Sequence, residues 1–154
     1  MRGLAKYTAR ASSSSATTWH LYNLKHFVDR GLVRGPIFLQ FVLGILGGIG
    51  ADAENLSYMK RVADKLFGDS YQWSVLGAGK HQMPLATQAA LLGGNVRVGL
   101  EDSLSVTSGQ LAKSNAEQVL KIRKLLEALG YQIASPAEAR QMLGLKGRNK
   151  VNLA

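Results

Sequence analysis

Apolar residues along the chain arrive in short runs separated by glycine-rich or polar stretches. Ile37–Leu43 is apolar except for Gln40, residues 73–76 repeat the pattern in shorter form, and residues 96–100 alternate around Arg97. Continuous apolarity of this length suits a strand covered on both faces, as in a parallel sheet. Between these runs the period becomes helical. Asp52 is placed to cap a helix running to about Phe67, and Ser114 with Glu117 and Ser135 with Glu138 are S-x-x-E capping signals, the second with Pro136 at the first helical position. The helix from Asn115 aligns Val119, Ile122, Leu125, Leu126 and Leu129 on one face and stops at Gly130. Residues 21–30 and 85–92 read as further helices ending at glycine. The predicted order is helix, strand, helix, strand, helix, strand, helix and a short last helix. That alternation defines an α/β chain of repeated βα units around a parallel sheet.

The 154 residues are enough for one domain or a piece of a larger one, since a whole eight-fold α/β barrel takes about 250 residues. With no cysteine, a metal would have to be held by His, carboxylates or water. The net charge of +9 suits an anionic partner, although a solvated basic surface explains it equally well. No basic patch interleaved with aromatics and no recognition-helix pattern accompanies the charge, so a nucleic-acid partner is not expected. The apolar run over residues 36–50 falls short of the roughly 20 residues that cross a bilayer, and it contains Gln40 and clustered glycines. The four serines at 12–15 stand where a secretory signal would need an apolar segment. A cytoplasmic protein without a membrane partner is the expectation. Residues 1–19 have no clear period and read as an irregular segment, 20–147 as the folded unit and 148–154 as a tail.

In parallel α/β proteins functional groups gather at the C-terminal ends of strands. Three segments therefore matter: GILGGIGA over 44–51, GAGKHQ over 77–82, and Glu101-Asp102. Gly48-x-Gly50-x-x-Ala53 formally matches a dinucleotide fingerprint, but Asp52 and Glu54 occupy the turn where pyrophosphate would sit and would repel it. Lys80 and His81 beside a helix N-terminus would favour a phosphate or carboxylate. On the third strand, alternation points Arg97, Gly99 and Glu101 to one side. Arg and Glu on the inner face of an apolar strand are costly unless paired or functional. They form either an internal ion pair, or a carboxylate metal ligand beside an Asp102 base tuned by arginine. The chain has three histidines, and His20 and His26 are six positions apart on or beside one helix, so no complete zinc site is expected from it alone.

These residues carry a resemblance. GNVRVGLED at 94–102, QLAKSNAEQV at 110–119 and SPAEAR at 135–140 resemble the β-keto acid cleavage enzyme family. GLVRGP at 31–36, QFVLG at 40–44 and WSVLGAG at 73–79 agree in the same order, and together they cover about residues 20–147. The resemblance is to the C-terminal half of 3-keto-5-aminohexanoate cleavage enzyme-like proteins. It implies about three to four βα units of a (β/α)8 TIM barrel, closed by the strand over 96–101. It further implies an acetyl-CoA-dependent acyltransferase of amino acid catabolism that cleaves a 3-keto acid to acetoacetate and an acyl-CoA. Such enzymes bind Zn2+ through a His-x-His pair and one glutamate, matched here by Glu101 alone. An Asp assisted by an Arg, matched by Asp102 and Arg97, removes a proton from C2 of the keto acid. Lys80 stands where relatives carry arginine, and intact members form homo-oligomers. The Ser-rich stretch departs from the acidic strand that relatives have there. The alternative is an inactive half barrel that oligomerises or binds a partner.

Overall fold

The computed structural model describes residues 10–11, 18–33 and 37–145, the first two as backbone only. The serine run, the last three residues of GLVRGP (34–36) and the tail over 148–154 lie outside the described residues. A four-stranded parallel sheet has the order β1 (Arg10–Ala11), β2 (Ile37–Leu43), β3 (Tyr71–Gly77), β4 (Asn95–Val96). Pairing is fullest between β2 and β3, from Ile37 opposite Tyr71 to Leu43 opposite Gly77. The helices α1 (Thr18–Asp29), α2 (Ala53–Phe67), α3 (Gln82–Leu91) and α4 (Asn115–Ala128) follow the strands in turn, and each packs on the next. Sequential strand order with successive helices in contact makes a singly wound α/β layer, as the alternating pattern predicts.

The core lies between β2, β3 and the helices. Leu39, Phe41 and Leu43 of β2 and Trp73 and Val75 of β3 meet Leu56, Met59 and Ala63 of α2 and Leu85 and Ala89 of α3. A smaller cluster joins Ala86 and Ala90 of α3 to Ile122 and Leu126 of α4. The predicted helix starts are mostly found. Ser135 caps α5 (Pro136–Met142) with a complete capping box, whereas Glu117 closes its return bond on the Lys113 N–H at 2.6 Å. Asp52 occupies the cap position of α2, yet its carboxylate meets Asn55 Nδ2 at 3.3 Å and makes no backbone cap bond. Helix α3 starts at Gln82, three residues before the expected start at Leu85, behind a 3-10 turn over Gly79–His81. Pro84 is tolerated there because first-turn N–H groups lack helical acceptors.

Two expectations are corrected, and one hairpin was not anticipated. The strand expected over 96–101 stops at Val96, because the following backbone groups bond side chains and loops instead. Gly99 N–H donates to Gln82, Leu100 N–H donates to Asn115, and the Asp102 carbonyl accepts from Gly79 N–H. An antiparallel hairpin, β5 (Ser105–Thr107) with β6 (Gln110–Leu111), turns through Gly109 at a φ of 74°. The Ser-Gly pair at 108–109 was its only sequence signal. The buried side of α4 consists of Gln118, Ile122 and Leu126, leaving Val119, Leu125 and Leu129 of the expected apolar face exposed. Hydrogen bonds pull Gln118 inward and rotate the buried face away from the purely apolar stripe.

A polar cluster closes the far end of α2. Lys60 Nζ reaches both Asp64 oxygens at 2.6 and 2.7 Å, and Tyr71 OH donates to Asp64 Oδ1 at 2.7 Å. Burial pushes the Asp64 carboxyl up, but the bonds from Lys60 and Tyr71 outweigh it and hold it below the usual value. The stabilisation from a depressed carboxyl is present above its unfolded value and lost as pH falls through the folded one. Tyr71→Phe removes one donor from a half-exposed acid, so a loss of about 0.5–1 kcal/mol at pH 7 is expected. Urea titrations at pH 7 and pH 3 check this, with the difference between the two proteins shrinking at pH 3.

Candidate functional site

Arg97 directly follows β4, and its side chain reaches Gln40, whose register partner across β2 and β3 is Ser74. Its guanidinium joins three groups. Nη1 donates to Gln40 Oε1 at 2.9 Å, Nη2 donates to Glu101 Oε2 at 2.6 Å, and Nε faces Asp102 Oδ2 at 3.3 Å. Gln40 Nε2 continues the line to Ser74 Oγ at 3.4 Å. The sequence thus pointed correctly to a meeting of Arg97, Glu101 and Asp102. The strand alternation behind it does not apply, since 97–102 is a loop and turn.

The two acids have different surroundings. The Asp102 side chain is 8% exposed and that of Glu101 is 79% exposed. Burial pushes the Asp102 carboxyl up, Arg97 pulls it down and Glu101 pushes it up again, leaving it above the usual carboxylate value. A desolvated carboxylate of raised basicity suits proton abstraction, because burial raises its proton affinity while the neighbouring guanidinium limits that rise. Glu101 reaches solvent and uses one oxygen on Arg97, so its carboxylate is available to a cation. Among the described residues no group of three or more His, Cys, Asp or Glu side chains forms a metal site. Zinc takes three protein ligands in catalytic sites, so the described residues do not complete one, and Glu101 would supply a single ligand to it.

Lys80 sits in the 3-10 turn after β3, exposed on the rim of a cavity of about 1220 Å3 whose wall includes Gln82, Glu101, Asp102 and Lys121. Gly77 lets that loop turn back. A Cβ there would lie 2.7 Å from the His81 carbonyl oxygen. Gly79 N–H then donates to the Asp102 carbonyl at 2.7 Å, tying the Lys80 loop to the acidic turn. In the first glycine loop a Cβ at Gly50 would meet Asp52 Oδ2 at 2.8 Å, so an acid stands where a fingerprint would seat pyrophosphate. Sequence reasoning missed Gln40, Gln82 and Gln118. Each lies inside a segment singled out above, QFVLG, GAGKHQ and QLAKSNAEQV, but nothing local marks these glutamines as partners of the acidic turn.

With this geometry in hand, the family can be stated: residues 2–145 match the beta-keto acid cleavage enzyme profile, and the chain belongs to that family. The match starts at residue 2, well before residue 20, where the motif resemblance begins. The chain is 59% identical over 133 residues to 3,5-dioxohexanoate:acetyl-CoA acetone transferase of Paraburkholderia graminis, covering 86% of this chain and 43% of that protein. It is 40% identical over 120 residues to 3-keto-5-aminohexanoate cleavage enzyme of Fusobacterium nucleatum, covering 78% and 42%. It is 33% identical over 147 residues to 3-dehydrocarnitine:acetyl-CoA trimethylamine transferase of Rhizobium meliloti, covering 96% and 47%. The chain spans less than half the length of these relatives. No helix among the described residues is long and apolar enough to cross a membrane.

Proposed function

We propose that the chain contributes three to four βα units to a cytoplasmic (β/α)8 barrel, over residues 20–147, and part of an acetyl-CoA-dependent β-keto acid cleavage site. The observation that supports this best is the Arg97 guanidinium shared between a buried, basic Asp102 and an exposed Glu101. Asp102 takes the proton from C2 of a 3-keto acid, and Arg97 keeps its carboxylate ionised until that moment. The resulting carbanion attacks the acetyl carbonyl of acetyl-CoA and releases the thiolate. Thiolate attack on the original keto carbon then splits the carbon–carbon bond, giving a new acyl-CoA, and the proton held by Asp102 returns to the departing carbanion to give acetoacetate. Glu101 is one ligand of a zinc ion which, when bound, supplies Lewis-acid stabilisation of negative charge at the keto group. Lys80, on the rim of the cavity beside Asp102, is placed to meet a phosphate or carboxylate of the substrates.

A second reading, an inactive half barrel that oligomerises or binds a partner, draws on the exposed Val119, Leu120 and Leu125 of α4 and Leu129 at its C-terminal cap. One experiment separates the two. This chain is spliced into the Paraburkholderia transferase in place of the segment it matches, and acetyl-CoA-dependent consumption of 3,5-dioxohexanoate is followed. Turnover by the hybrid is expected, with little from the 154-residue chain alone. A folded hybrid without turnover would remove the enzyme reading, and strong turnover by the isolated chain would remove the partial-site reading.

A further inference from the structure

Two of the most deeply buried side chains are primary amides. Gln82, at the start of α3, is 2% exposed and Gln118, on α4, is 0% exposed. Gln82 Nε2 donates to Gln118 Oε1 at 2.6 Å. The outer ends of this pair grip one turn from both sides: Gln82 Oε1 accepts from Gly99 N–H at 2.8 Å, and Gln118 Nε2 donates to the Ser103 carbonyl at 2.5 Å. Glu101 and Asp102 lie between those two anchor points. Asn115 Oδ1 takes the Leu100 N–H at 2.7 Å and pins the same turn a third time.

We infer that Gln82 and Gln118 are positioning residues that hold the Glu101–Asp102 turn against Arg97. The functional meaning of that role rests on the cleavage-site reading above, while the geometric role does not. Burying two amides carries a desolvation cost, and a matched apolar pair of similar length would fill the same space without it. What an apolar pair cannot do is satisfy the Gly99 N–H and the Ser103 carbonyl. A buried, fully bonded amide relay fixes one geometry, because each member has a partner only in that arrangement. No buried side-chain polar atom among the described residues lacks a partner, so the relay is complete. The turn then passes the constraint onward in two directions, to Gly79 N–H through the Asp102 carbonyl, and to Arg97 Nε through the Asp102 carboxylate.

Those two contacts supply reporters that touch neither glutamine. The test is amide and arginine side-chain NMR on the full chain, comparing the wild type with the Gln82→Met/Gln118→Met double variant. Expected are at least tenfold faster exchange of the Gly79 and Gly99 amides, movement of the Arg97 Nε–H resonance toward that of free arginine, and unchanged protection of Phe41 and Val75 in the central strands. Ile122→Ala, which removes packing from the same face of α4, should leave Gly79 and Arg97 unmoved. Gln118→Glu keeps the volume while replacing the donor toward Ser103, and should shift the same reporters if the double variant does not fold. Unmoved Gly79 and Arg97 signals in the glutamine variants would overturn the inference, as would a uniform acceleration of all amides. The readout needs no substrate. An inactive hybrid with this coupling intact removes the enzyme reading alone, and an active hybrid without the coupling removes the relay alone.

Discussion

Replacing Asp102 by Asn in the hybrid enzyme should slow turnover by about a hundred- to ten-thousand-fold, the range that a positioned general base supplies. Asparagine keeps the shape and the contact with Arg97 but accepts no proton at neutral pH. Metal content measured by atomic emission should stay near one zinc per site, because the group removed is the base and not the ligand. Glu101→Gln should do the reverse, losing zinc first and activity as a result. Unchanged zinc in that variant would remove Glu101 from the ligand set, and unchanged turnover in the first would remove Asp102 as the base. The rate of the parent hybrid should fall on acidification through a value above that of an ordinary carboxylate, since burial raises the Asp102 carboxyl. Raised proton affinity places the loss of the ionised base at higher pH than for an exposed aspartate.

The largest stability effect is expected at Phe41. It is 1% exposed in the middle of β2 and meets the Trp73 ring at a centroid distance of 5.2 Å. Phe41→Ala should cost about 3–5 kcal/mol, combining lost transfer energy with the cavity left between the sheet and α2. Against a typical total of roughly 5–15 kcal/mol, that brings the chain close to unfolding at physiological temperature. Urea denaturation followed by circular dichroism measures the change. Leu46→Ala, in a fully exposed loop position, should fall within about 0.5 kcal/mol of the parent. A small loss at Phe41 would mean that the sheet and helix layer do not meet as described.

The parts of the fold readable from sequence were those that local chemistry dictates. Ile37–Leu43 announced itself because every position but Gln40 is apolar, and Ser135 with Glu138 predicted a cap that forms in full. The unread parts depend on contacts distant in sequence. Nothing local in residues 96–101 says that Gln82 and Asn115 will take the backbone bonds a strand would need. Periodicity assigns Gln118 to a solvated face, because it scores side chains by polarity and is blind to an amide partner 36 positions away. The same limit applies to the site. The GNVRVGLED motif drew attention to Arg97, Glu101 and Asp102, whereas Gln40, which meets the guanidinium from another strand, stands in the QFVLG motif with nothing local to mark it as their partner.

Every strand of the main sheet runs the same way, so the loop after each strand opens at one rim while the buried apolar side chains pack between the sheet and its helices. Folding and chemistry therefore draw on different sets of positions. A substitution in the rim loops can alter what is bound without disturbing Phe41, Met59 or Val75, and a core substitution has no direct contact with substrate. That separation gives such a chain room to diversify. The relatives it matches are named for moving acetone in one case and trimethylamine in another, at identities of 59% and 33% to this chain. On a scaffold with this division of labour, changes confined to the short connections leave the register of the strands beneath them untouched.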